Sequence, residues 1–100
     1  MAERIIEGEL EIGIEGAGID YEPPFTSWVS HHLYIQSLDS KPLGRVEART
    51  FKDGLAGCSV VILDFPPPKA VGKDQNGNAM LEPQPPFPVA GKITWKATGE

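Results

Sequence analysis

Along RIIEGELEIGIEG (4–16), Ile6, Leu10, Ile12 and Ile14 fall on even positions, while Glu7, Glu9, Glu11 and Glu15 fall on odd ones. Alternation with a period of two marks a strand with one buried and one wet face. A helix over the same residues would scatter the glutamates around its circumference and hold glycines in its middle. The pattern recurs in SWVSHHLYIQSL (27–38), where Val29, His31, Leu33 and Ile35 share one face and Trp28, His32, Tyr34 and Gln36 the other. DSKPLG (39–44) follows and reads as a turn. The run RVEARTFKDGLAGCSVVILDF (45–65) predicts two strands joined around Asp53-Gly54, a dipeptide suited to a two-residue hairpin turn. Its second half, Cys58 to Phe65, is apolar on both faces and so reads as a central strand. In VAGKITWKAT (89–98), Val89, Ile93, Trp95 and Ala97 oppose Lys92, Thr94 and Lys96. No segment carries a helical period. The expected fold is all-β: a small single-domain sandwich or barrel of five to six mainly antiparallel strands.

Glutamates on the first strand and lysines on the last suggest that the two are neighbours. Opposite charges across adjacent strands contribute little each but help to set register. GIEGAGID (13–20) lacks the third glycine and the following helix of a nucleotide loop, so it reads as a bend or bulge ending the first strand.

One stretch breaks the strand pattern. FPPPKAVGKDQNGNAMLEPQPPFP, residues 65–88, has prolines at both ends and Asn76-Gly77 at its centre. Proline cannot donate to a ladder, so the two proline clusters cannot lie in a central strand. Asn-Gly is a strong hairpin signal. The prediction is a protruding hairpin arm within one domain spanning 1–100, with stiff polyproline legs over 66–88 and a tip at Asn76-Gly77. A second aromatic–proline cluster, DYEPPFTSW (20–28), repeats the PPF of residues 85–87 and sets Tyr21, Phe25 and Trp28 close together. Phe25 and Phe65 are expected to plug the open ends of the β body.

Composition narrows the class. One hundred residues at 40% hydrophobic and 23% charged can bury a modest core, and eleven Gly with ten Pro suit many short strands. The one cysteine permits no internal disulfide, and the start carries glutamate where a secretory leader needs an apolar run. No membrane span and a cytoplasmic location, or a virion if the chain is viral, are therefore expected. Charge is uneven. Residues 1–22 hold six Glu and one Asp against Arg4, whereas residues 41–100 hold eight Lys and Arg against six acids. A net charge of −5 opposes direct nucleic-acid binding, which needs clustered cations.

The chemistry is sparse. His31 and His32 are adjacent on a strand and point to opposite faces, so they cannot chelate one ion. Cys58 reads as a small buried hydrophobe, and a Cys58–His31 dyad would lack a third member. No catalytic, metal or cofactor residues are assigned. The expected function is non-enzymatic: an interaction, structural or assembly protein, such as a virion component or an inhibitor that caps a partner. The partner, another protein or a second copy in a homo-oligomer, is engaged through Lys69, Val71, Lys73, Asn76, Gly77, Met80, Leu81 and Phe87. One alternative is a small-ligand or carbohydrate module using the face of Trp28, His32 and Tyr34. A further one is an acidic nucleic-acid mimic presenting Glu7, Glu9 and Glu11 to a basic cleft.

Overall fold

In the computed structural model, which describes residues 3–100, the expected neighbours are paired. Strand β1 (Arg4–Ile12) runs antiparallel to β9 (Gly91–Gly99), setting Glu7 opposite Lys96 and Glu11 opposite Lys92. On its other edge β9 takes β3 (Val29–Leu38), giving a first sheet of order β1-β9-β3. The second sheet is built on β5 (Gly57–Phe65). One edge of β5 carries β4 (Arg45–Phe51), and the other carries two short strands in succession, β2 (Ala17–Asp20) and β8 (Phe87–Val89). Two further strands, β6 (Lys69–Lys73) and β7 (Ala79–Glu82), pair only with each other. The chain is all-β, with every pairing antiparallel and no helix among the described residues.

The alternation read from sequence decides what is buried. Ile12, Ile19, Val60, Ile62, Ile93 and Ala97 close the space between the two sheets, with Ile6, Leu10, Val29, Leu33, Ile35 and Trp95 packed around them. Removing each such large apolar side chain from water contributes roughly 1.5–3 kcal/mol. Gly8 lies opposite Trp95, and a methyl group there would sit 3.1 Å from the indole ring. The glycine gives the indole room to lie across β1.

Several expectations are corrected. Among the described residues there are nine strands rather than five or six, because short pairings are not resolved by periodicity. GIEGAGID is more than a bend. Gly16, at φ +87°, closes a turn by donating its N–H to the Gly13 carbonyl at 3.0 Å, and Ala17–Asp20 then pairs with β5 as β2. Ile14 therefore rides on the tip of that turn, 64% exposed, and not in the core. Asp53-Gly54 does not form a two-residue hairpin turn. The connection spans 52–56, its left-handed residue is Lys52 (φ 53°), and the carbonyls of Leu55 and Ala56 accept the N–H groups of Phe25 and Tyr21. Val89 is not in the last strand. The chain changes sheets at Ala90, and Gly91 passes so close to Ser37 that a Cβ would come within 2.4 Å of its carbonyl oxygen. Phe25 is buried as a plug should be, edge-on to Tyr21 with ring centroids 5.1 Å apart. Phe65 is not a plug. It lies on the outer face of β5, with the guanidinium groups of Arg45 and Arg49 4.6 and 5.0 Å over its ring.

Candidate functional site

The arm is the feature that leaves the body. Residues 66–68 and 83–86 form its legs, tied by Gln84 Nε2 donating to the Pro67 carbonyl at 2.7 Å. All nine residues of β6 and β7 are exposed, including Val71, Met80 and Leu81. The domain consequently measures 64 × 26 × 18 Å, with a radius of gyration of 18.1 Å, where roughly 13 Å is usual for this length. It exposes 6621 Å², against roughly 5,500 Å² for a compact chain of its mass.

The tip differs in detail from a two-residue Asn-Gly turn. Gly77 N–H donates to the Asp74 carbonyl at 3.1 Å, and Asp74 N–H donates to the Asn78 carbonyl at 2.9 Å. Only Gly77, at φ +82°, is left-handed. This is a type I turn closed by a left-handed glycine, the usual three-residue hairpin loop. Asp74 Oδ1 accepts the N–H groups of Asn76 and Asn78, each at 2.9 Å, which locks the turn. Of the residues assigned to partner binding, Lys69, Val71, Lys73, Met80 and Leu81 lie along the ribbon, and Asn76 and Gly77 at its tip. Phe87 is separate. It belongs to β8 on the body, opposite Asp64.

The acidic row is not a bare array of carboxylates. Glu7 and Glu11 face Lys96 and Lys92 across the β1–β9 ladder, and Glu9 bonds to Lys92 Nζ at 3.1 Å and accepts from Gln36 Nε2 at 3.1 Å. The Gln36 bond first and Lys92 next hold the Glu9 carboxyl below the usual carboxylate range. His32 and Tyr34 extend the same outer face, His32 opposite Lys96 and Tyr34 opposite Thr94. Trp28 precedes the strand. Tyr34 borders a shallow cleft of about 410 Å³ between β3 and β4, lined also by Leu33, Ile35, Val46 and Ala48. A second cleft of about 430 Å³, beside the sheet change at Ala90, is lined by Glu11, Ser37, Asp39 and Lys92 among others.

His31 and Cys58 are brought together, but through a third residue. Tyr21, 1% exposed, has its hydroxyl hydrogen-bonded to His31 Nε2 and in contact with Cys58 Sγ at 3.5 Å. Burial pushes the Tyr21 phenol well above its usual range, and burial likewise pushes the Cys58 thiol up against the lowering effect of the Tyr21 bond. Both groups keep their protons near neutral pH, so the trio holds no thiolate nucleophile. Among the described residues no three His, Cys, Asp or Glu side chains gather closely enough to hold a metal ion.

Two groups escaped the reading of the sequence. Asp64, 1% exposed, accepts from the backbone N–H groups of Leu43 at 2.8 Å and Gly44 at 3.0 Å. The signal for it was an acid on the core phase of an otherwise apolar strand. Outside the same strand, Glu47 is clamped by Arg45 at 2.6 Å and Arg49 at 2.7 Å, with both arginines stacked on Phe65. No protein family, curated protein or solved structure matches this chain.

Proposed function

We propose that this chain is a non-enzymatic interaction or assembly protein that engages a protein partner, or a second copy of itself, through the arm of residues 65–88. The observation that carries this reading is a projecting ribbon with Val71, Met80 and Leu81 exposed and, among the described residues, no strand of the body paired with it. A two-stranded ribbon alone is marginal in water, so an extended one with apolar side chains gains most from being buried against another surface. Proline legs restrict the arm before contact and reduce the entropy lost on docking. Such an arm suits a virion component or an inhibitor that caps its target. The lysines standing opposite Glu7 and Glu11 blunt the acidic face and favour the arm over nucleic-acid mimicry.

Light scattering behind size exclusion compares the native chain with a variant whose residues 69–85 are replaced by a short Gly-Ser turn. The expected result is a native mass that rises above that of one chain at high loading concentration, and a folded monomer at every loading for the variant. A photo-crosslinking side chain at Leu81 covers a partner of a different kind, forming an adduct of defined mass in the purified protein or in the source cells. Equal masses together with no arm-dependent adduct in either setting overturn the reading.

A further inference from the structure

The two edges of the arm are not equivalent. Strand β6 ends in Lys69 and Lys73 and is interrupted by a bulge between Ala70 and Gly72, where Gly72 adopts φ +147°. Terminal lysines and a bulge are the devices by which natural sheets discourage edge pairing. Strand β7, Ala79-Met80-Leu81-Glu82, has no proline and a single charge at its root end, already opposite Lys69. Neither outer edge is paired with any other strand among the described residues. One edge is guarded and the other is open.

We propose that β7 pairs with β7 of a second copy of this chain, forming a four-stranded antiparallel sheet from two arms; this rests on the reading of the arm as the interaction element. A two-fold axis normal to the sheet sets residues of like parity opposite one another, with one residue facing its own equivalent. With Met80 on that axis, each Ala79 faces Leu81 of the second copy and each Asn78 faces Glu82. Large meets small, acid meets amide, and no like charges oppose. The two methionines lie side by side, flanked by the Gly72 of each arm, which stands opposite its own Met80. The same operation on β6, centred on Val71, would set Lys69 against Lys73 twice, a repulsive arrangement. Because β7 runs from tip to root, antiparallel pairing places the second body beyond the tip of the first arm. The bodies do not collide, and the dimer is longer than the 64 Å monomer. The paired stretch is short, so association is weak and depends on concentration.

The test measures mass against concentration by sedimentation equilibrium for the native chain, Met80→Lys, Val71→Lys and the trimmed-arm variant, with small-angle scattering for length. All four are expected to fold alike, since the arm contributes nothing to the core. The native mass is expected to double from 10.8 kDa as concentration rises. Met80→Lys, which places a lysine against its own equivalent, should weaken dimerisation at least about tenfold. Val71→Lys, on the guarded edge, should change it less than about twofold. A dimer abolished by trimming but untouched by Met80→Lys overturns the β7 assignment while leaving the arm as the interaction element. A native chain that stays monomeric, or a dimer that survives trimming, overturns self-pairing altogether. The broader reading is then decided separately by crosslinking from Leu81.

Discussion

Replacing Asp64 by alanine should cost this fold about 3 kcal/mol. The carboxylate is buried between the sheets, and its two oxygens accept the N–H groups of Leu43 and Gly44. Those donors lie in the connection between β3 and β4, at the point where the chain leaves one sheet for the other. A hydrogen bond to a charged group contributes roughly 1.5–3 kcal/mol net, and two are lost together. Leu43 is 68% exposed, so water reaches part of the vacated space and the lower end of that range applies. For a domain of this size each kcal/mol lowers the midpoint by about 4–8 °C, giving a drop of about 12–24 °C. Asn at the same position keeps one acceptor but turns an N–H₂ toward a backbone donor, and should lose about 2 kcal/mol. Urea unfolding followed by tryptophan fluorescence reads the loss, and hydrogen exchange reads protection at the Leu43 and Gly44 amides. A change of less than about 0.5 kcal/mol for the alanine variant would refute the reasoning, since that is the ordinary scatter of surface substitutions. So would a large loss with those two amides still protected, because the bonds invoked would not be the ones holding the turn.

Two other outcomes follow from side-chain geometry. Tyr21→Phe keeps the ring against Phe25 but removes the hydroxyl between His31 and Cys58, and should cost about 1–2 kcal/mol at an unchanged urea m-value; an unshifted midpoint would show that the hydroxyl is idle. The Glu9 carboxyl is held lower in the folded chain than in the unfolded one, by Gln36 first and Lys92 second. Its contribution is therefore present above the ordinary carboxylate range and is lost as pH falls through and below that range. Glu9→Gln should flatten the decline in urea midpoint between neutral and acid pH, as should high salt, and an identical slope in native and variant would count against this pairing.

Much of the body was legible in sequence because a strand's side-chain period is a local property. The alternation in residues 5–12 and 29–35 predicted the faces that the structure buries. The run 58–65, apolar on both faces but for Ser59 and Asp64, predicted a central strand, and opposed charges predicted the β1–β9 pairing. The arm was legible for a similarly local reason: prolines keep a segment out of a central strand, and Asn-Gly calls for a turn; Pro88, on the edge strand β8, still stands opposite Leu63. Three features were not local. The switch of sheets at Ala90 depends on Gly91 passing Ser37, which is far away in sequence. The short strands β2 and β8 exist because β5 offers them an edge, and not because their own residues alternate. Asp64 reads as an anomaly until Leu43 and Gly44 arrive beside it.

By itself the sequence determined that this chain is all-β, which residues the long alternating strands turn inward, and that the stretch between the two proline clusters stands apart from the core. Period, propensity and proline stereochemistry act within a few residues and need no knowledge of the rest. Only the tertiary structure decided how the strands other than β1 and β9 are shared between sheets, where Phe65 lies, how Tyr21 comes between His31 and Cys58, and which edge of the arm remains open. Those outcomes depend on surfaces meeting across long loops, where packing and hydrogen-bond satisfaction between distant segments outweigh any local preference.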